Sequence, residues 1–315
     1  MHDIIAVVGP TASGKTGLAI GLAKALDGEV LSCDSMQLYR HMDIGTATPT
    51  AEEMDGIPHH MMNVIDPAED FSVSRYVEMA DQCLRDILAR GKRAIVCGGT
   101  GLYLDSLLLG RSFACPATGH RRRLEEQAAR EGIEPIREFL RTVDPDAYAR
   151  LPAGDHRRII RAAEIYLETG ITITEHNRRT KLLPPRYEAR WIGLDFANRA
   201  ALYARIDRRV ELMMEQGLLE EIQALLDRGV PPTATSLQAI GYKEPMAALR
   251  GEITMAEAVA KIQQESRRYA KRQLTWFRRN PAISWIVQPD EPDAHQTLET
   301  ALHLVRDGIS GDFAP

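Results

Sequence analysis

The sequence predicts an α/β protein, a parallel-sheet core interrupted by a mostly helical insertion. Three observations carry this reading. Short apolar, β-branched runs at 4–8, 29–33, 93–97 and 191–195 are each followed by sequence of helical period, the pattern of parallel strands buried on both faces. Two of these runs end in glycine-rich turns, at 9–14 and 98–101. Between 116 and 185 apolar strands vanish and charged, helix-period sequence takes over. The expected organisation is a core in two parts, 1–115 and 186–315, with the insertion at 116–185 between them and a basic helix near the C-terminus.

Composition bounds the function. The 315 residues carry a formal net charge of −5, so bulk charge does not advertise a polyanion and local clusters must be judged separately. Cys33, Cys83, Cys97 and Cys115 form no C-x-x-C pair and no zinc-ligand spacing, and read as thiols of a reducing compartment. The first strand starts almost at Met1, leaving no room for a signal peptide, and no apolar run is long enough to span a bilayer. A cytoplasmic protein without a membrane partner is expected. No long exposed apolar seam argues for a dimer, so a monomer is expected.

The first strand, Ile4 to Val8, leads into Gly9, Pro10, Thr11, Ala12, Ser13, Gly14, Lys15 and Thr16, and a helix follows. Strand, G-x-x-x-x-G-K-[ST], helix is the phosphate-cradling P-loop in its required context. Free N–H groups at the helix start and the helix dipole favour an anion. Lys15 adds a full charge, and Thr16 offers a hydroxyl to a phosphate-bound Mg²⁺. The loop specifies a pyrophosphate group; it does not specify ATP. The second strand ends at Asp34, Ser35, Met36 and Gln37, and ligands of open parallel sheets sit beyond such carboxyl ends. Asp34 there either holds Mg²⁺ or accepts a proton, or it is only a helix N-cap.

Residues 41–49 read as loop from Gly45 and Pro49, and Pro58-His59-His60 as a second irregular stretch. Adjacent side chains on an extended chain face opposite ways, so the two histidines read as structural rather than metal-binding. A helix is expected over 72–89, capped by Ser72, with Val73, Tyr76, Val77, Ala80, Leu84, Ile87 and Leu88 on one side. After the third strand, the turn 98–101 either brings Thr100 to hydrogen-bond a phosphate oxygen or uses Gly98 and Gly99 for tight packing alone. This strand ends in glycine, not the aspartate an ATPase would use for metal.

In the insertion, helices are expected at about 121–130 and 134–141, with a third capped by Asp155. Arg157 and Arg161 lie one turn apart on a shared face. The segment is either a solvated helical insertion or an RNA-contacting unit rich in arginine. The strand at 191–195 ends in Asp195, either a Walker-B-like aspartate or a helix cap. On the next helix Leu202, Ile206, Val210 and Met213 form the apolar stripe, while Arg205 and Arg209 share another face from which an arginine can reach the phosphates. The last long helix, about 256–279, puts Val259, Ile262, Tyr269 and Trp276 on one side. Lys261, Arg267, Arg268, Lys271, Arg272, Arg278 and Arg279 lie on the other, with no acid after Ser266. A single-signed stripe in a net-acidic protein favours a polyanionic partner.

Taken together, G-P-T-A-S-G-K-T at 9–16, D-S-M-Q at 34–37, M-D-I-G-T-A-x-P at 42–49, G-G-T-G-L-Y at 98–103, R-x-x-R-A-A-E at 158–164, R-I-x-x-R-V-x-x-M at 205–213, I-G-Y-K at 240–243 and Y-A-K-R-Q-L-T-W-F-R at 269–278 resemble bacterial tRNA dimethylallyltransferase, the MiaA-type tRNA isopentenyltransferase of the IPP transferase family. The resemblance covers most of the chain. The first motif is shared with many NTPases; the later ones together are far more specific. The approach to the first arginine cluster, 116–120, is less typical, and Arg121 fits the family pattern best, followed by Arg122.

The resemblance implies transfer of the dimethylallyl group from dimethylallyl diphosphate to N6 of adenosine 37 of tRNA. It implies that Lys15, the 11–16 backbone, Thr16 with Mg²⁺, and Arg205 hold the diphosphate, that Thr100 meets the bridging oxygen, and that Asp34 is the general base. It also implies that Asp34, Ser35, Met36, Gln37, Thr100, Arg121, Arg122, Arg157, Arg158, Ile159, Ile160, Arg161, Gln238, Ile240, Gly241 and Lys243 position the anticodon stem-loop. Two rival classes are an ATP-dependent small-molecule kinase, which leaves the arginine-rich insertion unused, and a nucleotide-switched RNA-binding regulator, which leaves Asp34 and Thr100 without work.

Overall fold

The computed structural model describes residues 3–110 and 119–306, without the Lys181 side chain. Cys115 and the expected 115/116 boundary therefore lie outside the described residues. The chain divides into two compact units, one formed by Met1–Leu108 with Tyr187–Pro315 and the other by Leu109–Arg186.

The first unit begins with β1 (Ile4–Val8), α1 (Lys15–Ala25), β2 (Gly28–Ser32), α2 (Ala51–Met54), β3 (His59–His60), α3 (Val73–Ala89), β4 (Arg93–Gly98) and α4 (Gly101–Leu108). The second unit holds α5 (His120–Glu131), α6 (Glu134–Val143), α7 (Pro145–Arg150), α8 (His156–Thr169) and α9 (Ile173–Leu182). The first unit then resumes with β5 (Arg190–Phe196), α10 (Arg199–Glu215), α11 (Leu218–Asp227), α12 (Lys243–Leu249), α13 (Met255–Phe277), β6 (Ile283–Gln288) and α14 (Ala294–Arg306).

The six strands form one sheet in the order β3-β2-β4-β1-β5-β6, and every pairing is parallel. β1 lies between β4 and β5, with Val7 opposite both Cys97 and Ile192. Every residue of β1 and β2 is buried, which explains their unbroken apolar character. On one face Ile5, Val7, Val30, Ile95, Ile192 and Leu194 pack with Leu18 and Leu22 of α1 and with Ala301 and Val305 of α14. Ser72 caps α3 as the sequence predicts, and Tyr76, Ala80, Leu84 and Ile87 are its buried stripe. Val73, Val77 and Leu88 fall outside that stripe. The second unit has its own core, in which Leu124, Ile136, Leu140, Ile159 and Ala163 meet. There Asp155 caps α8, its carboxylate accepting from Arg158 N at 3.2 Å.

Several elements differ from the sequence reading. The stretch expected to be irregular at 58–60 contains β3, a two-residue edge strand held on β2 through Val30 and Leu31. α7 and α9 extend the second unit beyond three helices, and β6 with α14 follow what reads as the last long helix. Asp195 does not cap the helix that follows it. Its Oδ2 accepts from Arg278 at 2.6 Å, while Asn198 caps α10.

Candidate active site

The P-loop leaves β1 at Gly9, where a Cβ would lie 2.7 Å from the Leu194 carbonyl of β5, so no larger residue fits. Gly14 sits at φ 88°, the left-handed conformation that lets α1 start facing the loop. Ala12 also has a positive φ, 62°, and its carbonyl accepts from Arg205 Nε at 3.1 Å. Such conformations cost about 1–3 kcal/mol and persist where surrounding contacts enforce them. Lys15 Nζ donates to the Pro10 carbonyl at 2.5 Å. Burial lowers the Lys15 pKa to about 8, with Arg209 adding to the effect and Asp34 opposing it.

A cavity of about 370 Å³ opens beside the loop. Thr11, Lys15 and Thr16 line it from one segment and Asp34, Ser35, Met36 and Gln37 from the end of β2. Gly45 to Ala47, Gln238 to Gly241, and Tyr269, Arg272 and Gln273 of α13 complete the walls. A second cavity of about 800 Å³ is lined by residues 12–17, Arg205, Arg208 and Arg209. Lys15, Thr16 and Arg209 line both, so the phosphate loop stands between two openings.

Asp34 is anchored locally, its Oδ1 accepting from Met36 N at 2.9 Å, which is an Asx turn rather than a helix cap. Thr100 is locked to the same turn: its Oγ1 accepts from Ser35 N at 3.1 Å, and its own N–H donates to the Cys33 carbonyl at 3.3 Å. β4 comes this close because Gly98 lacks a side chain; a Cβ there would lie 2.2 Å from the Cys33 carbonyl. Burial, with the Asp34 charge adding to it, pushes the Tyr269 phenol up to about 12, so it stays protonated beside the carboxylate.

Two more residues complete the site: Arg209, which the sequence offers only as one of two arginines able to reach the phosphates, and Gln273, which it does not signal. Arg209, one turn beyond Arg205, reaches Thr11 Oγ1 at 3.2 Å, and its pKa is lowered by burial against the opposing pull of Asp34. The shared face of the two arginines was its only sequence signal. Gln273 is 5 % exposed and bridges two turns: its Oε1 accepts from Thr11 N at 2.8 Å and its Nε2 donates to the Gly99 carbonyl at 3.1 Å. The Thr11 N–H expected to face phosphate is thus committed to a side chain. Gln273→Glu would set a carboxylate oxygen against the Gly99 carbonyl. It is expected to cost about 1–3 kcal/mol of stability in urea denaturation, the penalty of a buried group left without its partner.

The other expected contact residues separate. Gln238, Ile240 and Gly241 reach the first cavity, whereas Lys243 lies outside its lining and pairs with Glu244 at 3.8 Å. Arg121, Arg122, Arg157, Arg158 and Arg161 belong to the second unit. The side chains of Ile159 and Ile160, at 1 % and 7 % exposed, are turned into the core of that unit. Arg121 pairs with Glu125, Arg122 with Glu126, Arg158 with Asp155 and Arg161 with Glu164, while Arg157 has no ion-pair partner among the described residues. In the basic stripe of α13, Arg267 pairs with Asp207 of α10, Arg268 with Glu265 one turn back on the same helix, and the C-cap residue Arg278 with Asp195 of β5, so part of the stripe's charge is already matched by acids.

A family profile described as IPP transferase matches residues 37–280, and one described as isopentenyl transferase matches 2–63. The chain belongs to the IPP transferase family. It is 41 % identical to a tRNA dimethylallyltransferase of Acetivibrio thermocellus over 95 % of both chains. It superposes on the crystal structure of a tRNA isopentenylpyrophosphate transferase of Bacillus halodurans with a TM-score of 0.71 at 39 % identity, covering 98 % of each chain. A eukaryotic dimethylallyltransferase acting on tRNA gives a TM-score of 0.82 at 28 % identity, over 99 % of this chain and 82 % of that one. Within the family's frame, the P-loop and the Asp34 turn are two walls of one cavity.

Proposed function

We propose that this chain is a tRNA dimethylallyltransferase that moves the dimethylallyl group of dimethylallyl diphosphate to N6 of adenosine 37, giving N6-isopentenyladenosine and diphosphate. The observation that carries this reading is one cavity lined by a phosphate loop at one end and an anchored carboxylate at the other. A kinase would use the loop but has no need of the arginine-bearing helical unit.

In the proposed reaction the allylic C–O bond breaks as the N6–C bond forms. Asp34 accepts the amine proton, whose loss restores the lone pair's delocalisation into the ring. Lys15, Arg205 and Arg209 neutralise the leaving diphosphate, whose charge grows in the transition state. Thr100 is held against Ser35 of the Asp34 wall, directly after Gly98 and Gly99 of the cavity lining, and we assign its hydroxyl to the bridging oxygen. The target base must leave its stack to enter the cavity.

The donor set fits Mg²⁺. Thr16 offers a hydroxyl at the cavity, the Ser13 hydroxyl is buried without a partner among the described residues, and no cluster of three acidic, His or Cys ligands occurs among them. One or two protein oxygens plus substrate phosphates and water is the usual Mg²⁺ arrangement. Bound there, Mg²⁺ would supply further positive charge to the diphosphate. No described helix is long and apolar enough to cross a membrane. A cytoplasmic monomer is part of the proposal.

The test mixes the protein with Mg²⁺, unmodified tRNA and either labelled dimethylallyl diphosphate or γ-labelled ATP. Label passing from the former to RNA, with no phosphate release from the latter, is the expected result; phosphate release alone would overturn the proposal. A salt titration checks the RNA path. Log affinity for an anticodon stem-loop should fall linearly with log potassium chloride, by a slope of about −0.7 for each single-strand phosphate contact. Arg157→Ala should flatten that slope by about one contact. Arg268→Ala, whose guanidinium is held by Glu265 one turn back, should change it least.

A further inference from the structure

Glu221, on α11, lies outside the cavity lining yet holds one of its walls. Its carboxylate accepts from three successive backbone N–H groups, those of Asp43 at 2.8 Å, Ile44 at 2.7 Å and Gly45 at 3.1 Å. It also accepts from the Tyr242 hydroxyl at 2.7 Å. Successive N–H groups converging on one anion form a concave nest, normally an anion site, here filled by the protein's own carboxylate. The ring of Tyr242 lies so close to the loop that a Cβ on Gly45 would meet it at 2.5 Å. Burial and the Glu221 charge hold the Tyr242 phenol far above its ordinary pKa, so it remains a donor.

The loop clamped in this way hands its order onward. The Thr46 and Ala47 carbonyls accept from Gln37 Nε2 at 3.4 and 3.2 Å, and Ser32 Oγ donates to Gln37 Oε1 at 2.8 Å. These partners fix which way round the Gln37 amide stands. Its N–H groups face loop carbonyls, and its oxygen keeps a lone pair for a further donor such as an exocyclic amine. Gln37, Gly45, Thr46 and Ala47 all line the cavity, as does Gly241 beside Tyr242.

We propose that Glu221 is a positioning residue for the acceptor nucleotide: by clamping the 43–47 loop it orients Gln37 toward the base that enters the cavity. This rests on the reading of the cavity as the adenosine site. No part of the clamp belongs to the P-loop, so diphosphate binding should not depend on it.

A double-mutant cycle on the full chain tests this. Wild type, Glu221→Gln, Gln37→Ala and the double variant are compared by kcat/KM for an anticodon stem-loop and by the affinity of dimethylallyl diphosphate alone. Glu221→Gln keeps the shape but presents an amide N–H₂ to the nest. A fall of roughly 10²-fold in kcat/KM is expected, the usual effect of misplacing a reacting group by about an ångström. Diphosphate affinity should be unchanged, and the double variant should be no worse than Gln37→Ala. Losses that multiply independently, or diphosphate affinity falling in parallel, would overturn the proposal. Should Glu221→Gln fail to fold, Tyr242→Phe removes one bond to the carboxylate while keeping the ring on Gly45. The same non-additivity with a smaller loss is expected of it, and additivity overturns the proposal equally. Wild-type protein that moves no label to RNA would overturn the reading of the cavity itself, and that result needs no variant.

Discussion

Asp34→Asn is expected to lower prenyl transfer by ~10²–10⁴-fold, the range for losing a positioned proton acceptor. The substitution is close to isosteric, and its amide oxygen can still accept from Met36 N, so the turn that bears it should survive. What is lost is the basic oxygen for the N6 proton. That amine is a poor nucleophile, because its lone pair is shared with the ring, and it becomes acidic only as the new N–C bond forms. The loss should therefore appear in single-turnover rate, with tRNA and diphosphate affinities little changed. Near-normal turnover by Asp34→Asn would sink the assignment.

Lys15→Ala should act on the other end of the cavity. Removing one preorganised donor from a developing anion costs about 10²–10³ in kcat, and here the KM for dimethylallyl diphosphate should rise as well. Affinity for tRNA should hold; equal loss of tRNA binding would mean that the charge serves RNA instead. The wild type should also carry a pH signature. With the Lys15 pKa lowered by burial to about 8, its ammonium is charged below that pH and neutral above it. Diphosphate affinity should thus be flat on the acid side and weaken as pH rises through about 8, with proton uptake on binding in that upper range. Calorimetry in buffers of different ionisation enthalpy measures the proton, and Lys15→Ala should abolish the uptake.

Much of this site was legible because its signals are local. Strand, glycines, Lys15 and Thr16 follow one another within a few residues, and the Asp34 turn follows directly from the end of β2. The residues that were misread or missed depend on partners far away in the chain. Asp195 meets Arg278, and Arg267 meets Asp207, across intervals that no helical or strand period spans. Gln273 is one polar residue on a charged helix, and only the fold brings its amide between Thr11 and Gly99. Ile159 and Ile160 sit inside an arginine-rich motif, yet helical geometry turns them into their own unit's core. β6 escaped notice because it is an edge strand of mixed burial, and β3 because two residues carry no alternation.

The order of the sheet sets a timetable for synthesis. β1 is made first, and β4 can pair with one side of it early, but the other side waits for β5, which follows the entire second unit. Until then β1 is an exposed parallel edge, the kind of long-range pairing that forms slowly. The helices of the second unit, with a core of their own, can fold while that edge is still open. Even after β5 arrives, the phosphate loop lacks two tethers, because the Thr11 N–H is held by Gln273 of α13 and the Ser13 carbonyl by Gln288 of β6. On a ribosome, the segment translated earliest would thus be among the last to take its working shape, and a chain truncated before α13 would carry the P-loop motif without a structured phosphate site.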